Sequence, residues 1–297
     1  MAVLLTLLTS CSLTSKQQTG VSTFGSASES LAQVIREELP KLRSQVIEFN
    51  RNSVQLDGVD GAGLTGSETV LNVKVLNFDG ALDPKVMRTA VRAAEGLLGY
   101  AQALKALVDY DGSTDLQEEA DKLGDSIRGV SLSGGQVLDD PQIDALEAGI
   151  RDIGGFYINY KKRKAVNRIV TAYQDVIPKL TQQLRHDFNP AGAGFSSQLF
   201  IRTKDVLNKS IIALSADGMT PSERAFVLDI YDVAVASLRH QDLILREVSM
   251  TCTKLDDANK ELVELLDNDD VHIGAIKDFY NSAKDIADSA KILFESR

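Results

Sequence analysis

Between Tyr231 and Leu266 the chain repeats in strict steps of three and four residues: Tyr231, Ala234, Leu238, Gln241, Leu245, Val248, Cys252, Leu255, Asn259, Leu262 and Leu266. Side chains at that spacing share one face of an α-helix, and the sustained rhythm is the seam by which helices pack as coiled coils. The segment therefore predicts a long helix lying against other helices. Thr220-Pro221-Ser222-Glu223 opens it. Gln241 and Asn259 interrupt the apolar seam, so each needs a partner and can fix register. Cys252 fits the seam as a small apolar filler.

Helical spacing extends over most of the chain. Leu31, Ile35, Leu39, Leu42, Val46, Phe49 and Leu56 form one stripe, capped by Ser28 or Ser30 and kinked at Pro40. Val86, Ala90, Ala93, Leu97, Ala101, Leu104 and Val108 mark a helix over 83–110, in which Gly96 and Gly99 admit a close neighbour. Further helices are predicted over 113–128, 140–187 (with a slip of the apolar stripe near its middle and Pro178 bending its later part) and 196–215. A last helix follows the turn at Asp267-Asn-Asp-Asp270 and carries Ile276, Phe279, Ala283 and Ile286 on one face. Residues 54–80 break the pattern: a glycine-rich loop leads into 69–78, where Leu71, Val73 and Val75 alternate as in a strand. The fold class expected is all-α, an elongated antiparallel bundle of long helices with a small β-like hairpin or strap near 54–80. Its longest helices, at roughly 47 residues, reach about 70 Å.

Charge and motif content narrow the function classes. Of 297 residues, 42 are acidic and 32 basic, a net charge of -10 that repels nucleic-acid phosphates; no nucleic-acid partner is expected. Two distant cysteines give no disulfide framework, and His186, His240 and His272 are scattered, so no metal site is expected. Gly61-Ala-Gly63-Leu-Thr-Gly66 matches a dinucleotide-binding pattern in letters. That chemistry needs a strand before and a helix after it; here the order is the reverse, and the segment reads as a loop. Asp109-Tyr-Asp111-Gly-Ser-Thr-Asp115 lacks the glycine and glutamate positions of a calcium loop. Gly-x-Ser-x-Gly, His-Glu-x-x-His and Ser-x-x-Lys do not occur. No catalytic residue, cofactor or small-molecule substrate is therefore expected. One dense basic cluster stands out in the acidic chain: Lys161, Lys162, Arg163 and Lys164, with Arg168. It reads as a solvated face or as a contact for anionic headgroups or an acidic partner.

The amino end carries a different signal. Residues 3–8 are apolar and far too short to span a bilayer, as at the end of a secretory signal. Leu8-Thr9-Ser10-Cys11 then resembles the lipobox of bacterial lipoproteins. That resemblance implies removal of residues 1–10, acylation of Cys11 and, with Ser12 next, an outer-membrane destination with the body facing the periplasm or the cell surface. Residues 11–28, rich in Ser, Thr, Gln and Gly, read as a flexible tether, and 29–297 as one helical domain. The expected role is a lipid-anchored, protein-binding or structural component of an envelope assembly whose partner is another protein. The alternative is a membrane-active helical protein, since long helices with a β-like insertion resemble helical pore-forming toxins.

Overall fold

A computed structural model describes residues 12–56, 67–70, 73–76, 78, 82, 84–111, 116–128, 130–132, 135, 136, 138–151 and 158–295. Cys11, the glycine pattern at 61–66 and residues 112–115 lie outside the described residues. The fold is all-α. Helix α1 (Ser15–Leu56) is followed by α2 (Pro84–Asp109), α3 (Gln117–Ile127), α4 (Asp140–Arg151), α5 (Ile158–Tyr173), α6 (Val176–Phe188) and α7 (Phe195–Leu214). Helix α8 (Pro221–His240) runs through a π-helical segment, Gln241–Leu245, into α9 (Arg246–Asp267), and α10 (Gly274–Glu295) is the last element. Two short antiparallel ladders accompany the helices. In one, β1 (Ser67–Val70) pairs with β2 (Val73–Leu76), Val70 opposite Val73; in the other, β3 (Ser131–Leu132) pairs with β4 (Gly135–Gln136). Phe78, just beyond β2, accepts a 2.6 Å hydrogen bond from Asn50 Nδ2 through its carbonyl, which ties that segment to α1.

Helix α1 corrects one expectation outright. Residues 15–28 are not a tether: they are its first turns, and Gln17, Gly20, Val21, Phe24, Ala27 and Ser28 are buried. Val21, Phe24 and Leu31 continue the core stripe upstream, while the small residues between them let neighbouring helices come close. Low hydrophobicity here reflects tight helix contacts rather than a solvated leash, and the helical body begins near residue 15 rather than 29. Ser28 and Ser30 lie inside the helix and cap nothing.

The 140–187 helix is likewise divided: α5 closes at Tyr173 in a turn before α6. Pro178 thus sits in the first turn of α6, where its missing N–H costs nothing, instead of bending a longer helix. The 113–128 helix starts only at Gln117. Gly99 has the expected role: a Cβ there would stand 2.7 Å from Ser126 Cβ on α3.

The long seam is half as predicted. From Leu245 to Leu266 its residues are buried, Cys252 included. Upstream, the buried positions are Val227, Ile230, Ala234 and Ser237, while Tyr231 and Leu238 are only half-buried. A π-helical segment lies between the two halves: Arg246 N–H bonds to Gln241 O, five residues back. The core face runs on through it, since Val227, Ile230, Ala234, Ser237, Gln241, Ile244, Val248 and Thr251 are all buried, and Tyr231 and Leu238 lie at the edge of that face. Gln241, at the bulge, finds the partners its burial requires: Nε2 donates to Thr203 Oγ1 at 3.0 Å and to Ser237 Oγ at 3.1 Å.

Contacts along α1 set the directions of its neighbours. Gln17 meets Leu265 and Glu38 meets His240, so the α8–α9 helix runs opposite to α1. Ser53 Oγ donates to Asp205 Oδ2 at 3.0 Å, which places α7 beside the carboxyl end of α1. Four helices meet in an aromatic cluster. Phe24 on α1 touches Tyr100 on α2 (5.9 Å between centroids) and Phe279 on α10 (5.8 Å). Tyr100 stacks on Tyr173 of α5 at 4.0 Å and 8°.

Candidate functional site

The amino end of the described chain is held firmly. Thr14-Ser15-Lys16-Gln17 forms a reciprocal capping box: Gln17 N donates to Thr14 Oγ1 at 3.2 Å and Thr14 N to Gln17 Oε1 at 3.1 Å. Gln17 Nε2 also donates to the carbonyls of Leu265 and Leu266, at 3.0 and 3.1 Å, satisfying the last turn of α9. Lys16 Nζ reaches Asp269 O at 2.7 Å, and Leu13 is buried. The candidate lipidation residue, Cys11, therefore stands two positions ahead of a residue already packed into the body.

One member of the basic cluster is turned inward. Lys162 is buried and donates to Val108 O at 2.7 Å and Tyr110 O at 2.8 Å, neutralising the carboxyl end of α2. Burial lowers its amine from the ordinary lysine range, against the opposing pull of Asp109 and Asp111. Arg168 Nη1 donates to Ala145 O at 3.2 Å on α4. Lys161 and Arg163 have partners within the protein. Lys164 is exposed. Lys162 thus leaves the set available to an anionic partner, because its chain is long enough to reach a helix end that a charge run alone does not reveal.

At the other end of α1, α7 and α8 expose apolar side chains in unusual number. Phe200, Ile201, Ile211 and Ile212 on α7 are 40 to 70% exposed, and Phe226 and Leu228 on α8 are 47% and 44% exposed. Beside them a cavity of about 400 Å³ opens among Pro190, Phe200, Leu238, Gln241, Asp242 and Arg246. Its wall at Gln241 is the π-helical segment. At its edge, Arg246 and Asp242 form a 3.5 Å ion pair. The tip between the helices is sharply shaped: Gly218 takes φ 89°, and Thr220 and Glu223 close their capping box at 2.8 and 3.3 Å. Sequence periodicity finds both helices; it does not find the surplus of exposed apolar residues, because that depends on which face a neighbour covers.

Two largely buried carboxylates are taken up by structural pairings. Burial tends to raise the Glu38 carboxyl, but the hydrogen bond and charge of His240 at 2.6 Å, with Lys41 at 3.0 Å, hold it below the usual range. Burial raises Asp256, opposed by its bonds to Thr181 and Arg185, and pushes the nearby Cys252 thiol to about 12. Among the described residues no cluster of three or more His, Cys, Asp or Glu is placed to hold a metal, and no helix is long and apolar enough to cross a membrane. Comparison with protein-family models, curated proteins and solved structures finds no match to this chain.

Proposed function

We propose that this chain is an outer-membrane lipoprotein, acylated at Cys11, whose elongated antiparallel bundle serves an envelope assembly by binding another protein at its α7–α8 end. The observation that carries this is positional. Residue 12 lies at one end of α1, beside the α9–α10 turn, and the exposed apolar α7–α8 hairpin lies beside the other end. From Gln17 to Ser53 the helix covers 36 residues, about 54 Å at about 1.5 Å each. With no tether between Cys11 and the body, acyl chains hold the near end against the bilayer and the α7–α8 hairpin stands off from it. Contiguous exposed apolar residues of this kind mark protein contacts more often than they occur by chance. Several acyl chains on one cysteine give durable attachment where a single chain does not.

Two measurements test the halves of this proposal separately. Radiolabelled palmitate should enter the protein and be lost in Cys11→Ala, which should leave the membrane fraction; failure to label removes the anchor. A photo-crosslinking residue at Ile212 should capture a protein in intact cells; no protein adduct removes the partner.

A further inference from the structure

The unpartnered surface has a regular geometry. On α7, Phe200, Lys204, Leu207 and Ile211 recur at helical spacing, and on α8 so do Leu228, Tyr231, Val235 and Leu238. Phe200 and Leu238 line the same cavity, so the two stripes flank one groove. Tyr231 and Leu238 are members of the heptad seam that stay half-buried, at the edge of the buried face held by Ala234 and Gln241. No described helix of this chain covers that edge fully.

The charges beside this groove differ from those of the molecule. Lys204, Arg224 and Arg239 are exposed, and their side chains make no ion pair or hydrogen bond among the described residues. Arg224 lies four residues before Leu228, and Arg239 four after Val235, so both border the α8 stripe; Lys204 lies within the α7 stripe. Two acids border the α8 stripe as well: Asp232, four residues after Leu228, and Asp242, four after Leu238 and paired with Arg246. A chain of net charge -10 thus concentrates unpaired cations beside its most exposed apolar groove.

We propose that the α7–α8 groove seats an acidic amphipathic helix of a partner protein, which rests on the reading that this end meets a protein. Heptad-spaced side chains are what a helix, rather than a strand, packs against. Two helices leave a furrow for a third, whose apolar residues at i, i+3, i+4 and i+7 fill it. The cavity beside Phe200 and Leu238 takes one bulky anchor side chain, and acidic flanks meet Lys204, Arg224 and Arg239. A bilayer is a poorer match to a concave furrow ending in a cavity.

The test uses the full chain and two synthetic helical peptides with the same leucine heptads, one with glutamate and one with lysine at the flanking positions. By fluorescence anisotropy the glutamate peptide should bind at least about tenfold tighter, a difference of about 1.4 kcal/mol. Reversing Lys204, Arg224 and Arg239 to Glu should invert that preference, and Leu238→Ala should weaken both peptides alike. These are exposed or half-buried positions, and unchanged circular dichroism confirms that the variants fold. Equal affinity for the two peptides, or indifference to the charge reversal, overturns the proposal. So does binding of phosphatidylglycerol vesicles, lost on charge reversal, without peptide binding; that result assigns the groove to a lipid surface. A dimer in sedimentation that dissolves in Tyr231→Glu assigns it to a second copy and overturns the proposal equally. A protein adduct at Ile212 with no glutamate-peptide binding leaves the protein-binding reading standing and removes only the acidic helix.

Discussion

Gln17 Nε2 donates to the carbonyl oxygen of Leu265 at 3.0 Å, joining the first turn of the longest helix to the last turn of another some 248 residues away in sequence. The same amide reaches Leu266 O, and both bonds are buried. One side chain thereby caps two helices and ties the chain to the body from Thr14 on. Gln17→Ala should leave two carbonyls without their donor and cost about 1–3 kcal/mol. Urea unfolding gives the total, and hydrogen exchange should quicken first in residues 15–24. A stability unchanged within a few tenths of a kcal/mol contradicts this role.

The stacked pair Tyr100 and Tyr173 offers a test with the opposite sign. Both rings are fully buried, and neither hydroxyl has a hydrogen-bond partner among the described residues. Burial drives both phenols well above their ordinary range. A buried, unpaired hydroxyl is a net penalty, whereas the ring supplies the packing. Tyr173→Phe should therefore be neutral or stabilising by about 1 kcal/mol, and Tyr173→Ala destabilising by about 3–5 kcal/mol. Loss of stability in the Phe variant would show that the hydroxyl is bonded after all.

Asp187 governs part of the pH dependence. Burial raises its carboxyl from 3.8 to about 6, outweighing the hydrogen bond from Gln183 and the charge of His186. A raised acid binds its proton more tightly in the folded state than in the unfolded one. Its share of stability is therefore full below about pH 4 and falls as pH rises through about 6. Asp187→Asn keeps an acceptor for Gln183 and removes the buried charge. The variant should match the parent near pH 4 and exceed it near pH 8 by up to about 3 kcal/mol. A pH-independent difference between the two unfolding midpoints contradicts the assignment.

What the sequence revealed, and what it hid, follows from how local each signal is. The seam from Leu245 to Leu266 was legible because a regular helix keeps 3,4 spacing on one face. Upstream, Ala234 and Gln241 hold the same face, but nothing in the spacing tells that Tyr231 and Leu238 lie at its half-covered edge. The start of α1 carried a readable signal in Thr14-Ser15-Lys16-Gln17, a capping box that the Ser- and Thr-rich composition around it obscured. Lys162 was visible as charge, but its bonds to Val108 and Tyr110 depend on a helix 52 to 54 residues away in sequence. The α7–α8 groove was illegible because periodicity identifies a helix without saying which of its faces goes uncovered.

The proposed separation between a lipid-anchored amino end and the α7–α8 end is most directly measured by energy transfer to the bilayer. The acylated protein, in a Cys252→Ser background, would be reconstituted in liposomes containing an acceptor lipid, with a donor dye at Asp269→Cys or Ala216→Cys. The dye at 269, beside the Lys16 contact, should transfer strongly, and the dye at 216, beyond about 54 Å of α1, weakly. Equal transfer from the two positions, or stronger transfer from 216, would contradict the end-on anchoring on which the functional proposal depends.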